Sequence, residues 1–388
     1  MVVQGRLGLV VVGGVGAAMV LVAGCSDGSK GKLASGDSAT VTITPGNGTQ
    51  AVRPDGTIEV KASGTKLENV AVQGQGAAIT GKMSGDRKSW RSDRTLTPGT
   101  SYTVTAQARN DGKNQTVTSA FTTLKPEKTL SIVDVTPSLE GEKVGVGMPI
   151  IVRFNRAVAD KAAVQRALTV APEKPVEGAW RWVAPDQAVY RTKTYWPAHQ
   201  KVRFTARLAG VAAGNGAYGT KDAAQTISIG AAQITKGDIG DHDMTVTRDG
   251  RKLRTIPFSA GNGTTREFTT TSGVHLLMEK GNPVTMISPG RKEGDPGYYK
   301  TVVNHAVRFS NSGEFVHAAP WSLGSQGSAN VSHGCLNVSP SHAKWYYDIM
   351  QRGDVIDLTG SDREVEPDNG WGFWQMSFEK WKSATTAG

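Results

Sequence analysis

From Thr40 onward the chain is written in short apolar–polar alternations separated by glycine- and proline-rich turns, and that texture restricts it to a mainly β fold. Val41 and Ile43 alternate with threonines. Residues 57–60 follow the Pro54-Asp55-Gly56 turn, residues 101–105 follow Pro98-Gly99, and residues 116–123 close the set. This spacing predicts a β-sandwich over residues 40–125. After Lys125-Pro126-Glu127-Lys128 the pattern partly recurs, with strands at 150–154, 180–182 and 201–208. A second, tandem sandwich is expected over 129–230, with a short helix near residues 160–167. Trp180, Trp182 and Trp196 could offer a sugar-stacking face, but aromatic side chains of this size more often fill a core, and a core role is expected.

A third, mainly β domain is expected over residues 231–360. Strands at 244–248 and 251–257 flank Asp249-Gly250, the strongest short hairpin signal in the chain. A second hairpin is expected to join 274–279 to 284–287 through Lys280-Gly281-Asn282-Pro283, with further strands at 299–309 and 314–317. Ser339 as N-cap, Pro340 at the first helical position and Gly353 past the end bracket a helix over 342–351. Residues 288–297, SPGRKEGDPG, read as a loop without an apolar anchor. The extension 361–388 carries Trp371, Phe373, Trp374, Phe378 and Trp381. These aromatics are expected to pack onto the preceding domains, since a membrane anchor at the far end of the chain would place them badly for an interface.

That anchor is read from residues 1–25. Arg6 precedes a sixteen-residue apolar, glycine-rich run, and Val22-Ala23-Gly24-Cys25 has the small-residue pattern that precedes a lipid-modified cysteine. A membrane span needs about 20 apolar residues, so the run is short for one. Cys25 is expected to be the lipid attachment point, and residues 26–39 (SDGSKGKLASGDSA) a flexible tether. The protein is then exported and held at the outer face of the cytoplasmic membrane, facing the cell wall. Of its two cysteines, Cys335 is left as a free thiol.

The formal net charge of +10 suits anionic partners. The basic residues are scattered and no reading helix is evident, so nucleic acid is not expected. An anionic cell wall is the expected partner, with plain solubility as the bland alternative.

The chemistry is concentrated in residues 314–337, EFVHAAPWSLGSQGSANVSHGCLN. His317 precedes Cys335 by eighteen positions and His333 precedes it by two. A thiol becomes a nucleophile when a neighbour draws off its proton, and imidazole is the usual neighbour. Residues 315–317 are expected to end a strand that presents His317, with the 332–335 turn returning the thiol beside it. Gly334, lacking Cβ, lets backbone amides approach a carbonyl and face its developing oxyanion, a contribution of roughly 3–4 kcal/mol per donor. Cys335, His333, His317 and His305 could be counted towards a zinc site, but the His-Gly-Cys spacing is unlike the usual paired-ligand spacings. No metal and no cofactor are expected.

The run S-H-G-C-x-N with its upstream histidine resembles the signature of the L,D-transpeptidase catalytic domain. Trp321, Gln326-Gly327, Leu336-Asn337-Val338-Ser339-Pro340 and Trp345-Tyr346-Tyr347-Asp348 resemble the actinobacterial, multi-domain lipoprotein members of that family. The resemblance implies two immunoglobulin-like domains before a catalytic β-sandwich, with residues 288–297 in a lid over the site. It implies Cys335 as the acylated nucleophile, His317 as its base, and Ala318, where close relatives carry serine, acting through its backbone carbonyl on the imidazole. His333 would tune the thiolate, line the substrate path or shape the turn. Tyr299 would face the acyl donor, and Met286, Ser312, Gly313, Trp321, Ser332, Gly334 and Asn337 match substrate-pocket positions.

The implied reaction uses two peptidoglycan stem peptides. The thiolate attacks the carbonyl before the terminal D-Ala of a tetrapeptide donor, and a side-chain amine of the acceptor stem resolves the thioester as a 3→3 cross-link. Carbapenems would acylate the same sulfur. Hydrolysis of the same acyl-enzyme, as an L,D-carboxypeptidase or endopeptidase, is one alternative. A non-catalytic wall-binding lipoprotein is the other, and a mere binder would gain no covalent mass from a carbapenem.

Overall fold

The computed structural model describes residues 39–76, 78–110, 113–138, 141–288 and 290–383, with the backbone of Lys30–Lys32. The Cys25 pattern and residues 26–29 and 33–38 of the expected tether lie outside the described residues, and Lys30–Lys32, expected to be flexible, pair as a strand with Thr40–Thr42 instead. The fold is mainly β, in three successive units.

In the first unit, strands Lys30–Lys32, Thr40–Thr44, Glu59–Ser63, Ser89–Ser92 and Gly81–Met83 form one sheet in that order. Strands Lys66–Gly74, Ser101–Asn110 and Lys113–Thr122 form the other. Alternation does the sorting, since successive side chains point to opposite faces. Val41, Ile43, Tyr102 and Val104 go inward to meet Ile58, Val60, Trp90 and Phe121. Tyr102 stacks on Phe121 and its hydroxyl accepts the Thr97 N–H at 2.8 Å, fastening the chain just before its own strand.

The second unit pairs the sheet Ile132–Thr136, Ile150–Phe154, Gln187–Thr192, Gly178–Ala184 with the sheet Lys143–Val144, Ala223–Ile229, Gln200–Ala206, Leu168–Pro172. Trp180 and Trp196 are buried in its core, and Trp182 packs half-buried against Phe154. The short helix is Lys161–Arg166, capped by the Asp160 carboxylate on the Ala163 N–H.

The second and third units share buried side chains. Leu276 and Val355 of the third complete the core of the second. Gly145 and Gly147 permit the approach: their N–H groups donate to the carbonyls of Arg352 and Gly353. A Cβ on Gly145 would sit 2.2 Å from the Asp354 nitrogen, and one on Gly147 would sit 2.3 Å from Leu276. The C-terminal aromatics strap the same junction. Phe373, Phe378 and Trp381 pack on Ile151 and Val189. The buried Arg191 guanidinium lies 5.0 Å from the Trp374 ring and 5.1 Å from that of Trp381.

The third unit has one sheet in the order Arg251–Pro257, Asp243–Arg248, Gln233–Asp238, Val355–Thr359, Gly273–Leu276. The other runs Glu279–Gly281, Ala306–Arg308, Phe315–Ala318, Leu336–Val338. The Asp249-Gly250 hairpin forms as expected. The helix spans Pro340–Ile349, with the Ser339 hydroxyl accepting the His342 N–H. The expected 274–287 hairpin does not form. Gly273–Leu276 pairs with Val355–Thr359, Glu279–Gly281 pairs with Ala306–Arg308, and Val284–Ile287 pairs with Lys300–Val303 as the lid hairpin. Nor is 299–309 one strand. It breaks at Asn304-His305, where His305 has φ +51° and its N–H donates to the Asn282 side chain.

Candidate active site

Phe315–Ala318 and Leu336–Val338 are parallel neighbours, with His317 opposite Asn337. Cys335 therefore ends its turn at the mouth of a strand whose partner carries the imidazole. The turn is tied from within. The Ser332 hydroxyl donates to the Cys335 carbonyl at 2.6 Å and accepts the Gly334 N–H at 3.0 Å. Gly334 sits at φ +125°, a conformation that a Cβ would strain. From outside, Thr270 Oγ1 donates to the Gly334 carbonyl at 2.8 Å and accepts the Gly261 N–H. The Gly334 amide, expected as an oxyanion donor, is thus already used by its own turn.

His317 is 3% exposed, and its Nδ1 lies 3.0 Å from the Ala318 carbonyl. A carbonyl only accepts, so the ring proton is on Nδ1 and Nε2 keeps a free lone pair. Burial pushes this imidazole below its ordinary pKa, and the Ala318 carbonyl partly restores it. Burial pushes the Cys335 thiol up to about 12, against the Phe315 N–H, which favours the anion, and with a further upward push from Glu314. Both shifts favour the neutral form of their group. The Cys335 thiol faces the Gly313 carbonyl at 3.7 Å.

His317 and Cys335 line one cavity of about 360 Å3 with Met286, Tyr299, Trp321, Ser332, His333 and Asn337. A larger cleft of about 590 Å3 lies between the second unit and the C-terminal strap, and neither His317 nor Cys335 reaches it. Over the smaller cavity, which His317 and Cys335 line, the lid hairpin sets Met286 opposite Thr301. Tyr299 from the lid stacks on His333 at 4.8 Å, and Phe268 meets the other side of that ring edge-on at 4.5 Å. Burial and the nearby sulfur raise the Tyr299 pKa, so its hydroxyl remains a donor. Arg291 closes the lid's end on Glu267, with Nη2–Oε2 at 2.7 Å.

Residues 49–212, spanning both sandwiches, match the profile of a bacterial Ig domain, and residues 234–358 match that of the L,D-transpeptidase catalytic domain. L,D-transpeptidase 5 of Mycobacterium tuberculosis (strain ATCC 25618 / H37Rv) is 35% identical, over 97% of this chain and 84% of that protein. L,D-transpeptidase 2 of Mycobacterium tuberculosis (strain CDC 1551 / Oshkosh) is 32% identical, over 89% and 84%. The chain belongs to the L,D-transpeptidase family. Among solved structures, the LD transpeptidase LdtMt1 in complex with imipenem aligns with a TM-score of 0.51 at 34% identity, covering 59% of this chain and 99% of that one.

In this L,D-transpeptidase the pocket residues read from sequence divide into two groups. Met286, Tyr299, Trp321, Ser332 and His333 face the cavity, and the Gly313 carbonyl meets the sulfur. Asn337 lines it too, but its amide is held by the Ser322 hydroxyl, so it braces the Pro320–Ser322 turn that carries Trp321. Ser312 stands behind the cavity wall, donating to Glu314 at 3.0 Å. Sequence reasoning missed Thr270, Thr271, Glu314 and the Glu267–Arg291 pair. Glu314, inside the motif stretch, and Arg291, inside the 288–297 loop, lay where a signal could be sought. Among the described residues no group of three His, Cys, Asp or Glu side chains is arranged to hold a metal ion.

Proposed function

We propose that this L,D-transpeptidase works through a Cys335 thioester. In the first half-reaction the sulfur bonds to the carbonyl carbon between the third residue of a tetrapeptide stem and its terminal D-Ala. The thiol proton passes to His317 Nε2, and the tetrahedral oxyanion is held by the Cys335 N–H and the Tyr299 hydroxyl. Collapse breaks the C–N bond, and His317 returns the proton to the departing amine of D-Ala. In the second, a side-chain amine of an acceptor stem attacks the thioester carbonyl and gives its proton to His317. The C–S bond breaks, the thiol is restored, and a 3→3 cross-link results.

The observation that carries this reading is the Nδ1 bond to the Ala318 carbonyl, which leaves Nε2 bare in a cavity that Cys335 also lines. An imidazole so oriented is a base with its proton slot open. The protein acts at the outer face of the cytoplasmic membrane, held by lipid on Cys25, with the two sandwiches standing between membrane and catalytic unit.

Intact-protein mass spectrometry after incubation with a carbapenem tests the assignment. The native protein gains one covalent adduct and the Cys335→Ala variant gains none. An adduct on Cys335→Ala, or none on the native protein, overturns it.

A further inference from the structure

Behind the nucleophile lies a carboxylate that the mechanism above does not use. Glu314 is 3% exposed, and no lysine or arginine pairs with it among the described residues. Its oxygens accept the Thr271 N–H at 2.7 Å, the Thr271 hydroxyl at 3.0 Å and the Ser312 hydroxyl at 3.0 Å. The donors are themselves ordered. His275 Nε2 lies 2.7 Å from Thr271 Oγ1, whose one hydrogen is committed to Glu314, so the imidazole is the donor there. On the other side the Asn369 amide donates to Ser312 Oγ at 3.0 Å, and the Ser312 N–H donates to the Asn369 side-chain oxygen. The Thr271 N–H, the Thr271 hydroxyl and the Ser312 hydroxyl thus converge on one carboxylate, buried on the Thr271 side and reaching the surface at Ser312.

The network reaches the sulfur in two ways. Ser312 and Glu314 flank Gly313, whose carbonyl receives the thiol. The Glu314 side chain also lies against the turn itself, since a Cβ on Gly334 would be 3.7 Å from its Cγ. Thr270 and Thr271 are adjacent, one holding the Gly334 carbonyl and the other the carboxylate, so a single segment braces both sides of the nucleophile.

We propose that Glu314 is a positioning residue for Cys335: held by Thr271 and Ser312, it fixes the Gly313 carbonyl against which the thiol rests and sets a negative charge behind the sulfur. The sulfur then forms its anion only as the acyl carbonyl is engaged. A thiol is far less reactive than a thiolate towards oxidants and stray electrophiles, so the same arrangement guards a free cysteine between turnovers. The inference rests on Cys335 being the nucleophile.

The other groups facing the sulfur are His317 and Tyr299 across the cavity and His333 two residues back, with the Glu267–Arg291 pair beyond it. None of these is altered by the test. The rate of Cys335 alkylation by iodoacetamide is followed against pH for the full chain and for Glu314→Gln, with Cys335→Ala as the labelling control. Carbapenem acylation is followed in parallel. Glu314→Gln moves the alkylation midpoint to lower pH by about half a unit or more, a roughly threefold or greater gain at neutral pH. Its acylation becomes slower at saturating carbapenem, with the half-saturating concentration little changed. Thr271→Val, which keeps the charge but removes the hydroxyl, slows acylation without that alkylation gain, and Thr271→Ser restores the rate. An alkylation profile for Glu314→Gln that superposes on the native one overturns the proposal, as does native acylation in Thr271→Val. Failure of the native protein itself to take a carbapenem on Cys335 sinks the nucleophile assignment instead.

Discussion

The imidazole of His317 is tethered through Nδ1 to the carbonyl of the next residue, Ala318, at 3.0 Å. The tether needs no side chain at position 318, so any residue whose carbonyl keeps that place serves. Ala318→Ser therefore leaves turnover close to native, whereas His317→Ala loses about 10²–10⁴-fold in kcat. Steady-state D-Ala release by the two variants checks this. A large loss in Ala318→Ser would mean that position 318 acts in some way other than through its backbone.

The same burial sets the acid limb of activity. In the proposed mechanism His317 must be neutral to accept the thiol proton, and burial disfavours the imidazolium, lowering the pKa from 6.5. Activity is thus retained as pH falls to 6.5 and is lost only below it. The acid midpoint of kcat/KM reports this directly.

Arg291 and Glu267 join the lid to the Arg266–Phe268 turn across a partly exposed surface. Exposed ion pairs contribute about 0–1 kcal/mol. Arg291→Ala should leave the melting temperature nearly unchanged while raising KM for the donor stem, because the lid then closes less often over Met286 and Tyr299. Kinetics with a tetrapeptide donor, alongside a melt, separate the two effects.

Asp354 is 2% exposed and burial raises its pKa to about 7 despite hydrogen bonds from the Gln351 N–H and the Gln233 amide. Between its unfolded pKa of 3.8 and about 7 the folded protein holds a proton that the unfolded chain releases. Stability from this group is present below that window and declines as pH rises through it. Asp354→Asn removes the slope. Its melting temperature relative to the native protein should therefore be higher at pH above 7 than at acidic pH.

Local chemistry was legible in the sequence, and partner choice was not. Asp249-Gly250 specifies its turn from two residues, and Ser339-Pro340 starts its helix from two more, so both were readable without neighbours. The Asn282-Pro283 turn was equally visible, yet it does not join the strands on its two sides. Gly281 pairs with Ala306 and Val284 with Val303, choices set by sheet order over some twenty residues. The site followed the same division. His317 and Cys335 were singled out by their spacing and line one cavity, while Glu314 meets its partner Thr271 across 43 positions. The contact of the thiol with the Gly313 carbonyl was likewise hidden, because it is set by how the 312–314 segment folds against the turn.

The most direct measurement of the account is the fate of a tetrapeptide stem on the protein. The native enzyme releases D-Ala and, quenched during turnover, carries the truncated stem as a thioester that peptide mapping places on Cys335, while Cys335→Ala does neither. Continued release of D-Ala by Cys335→Ala would contradict it.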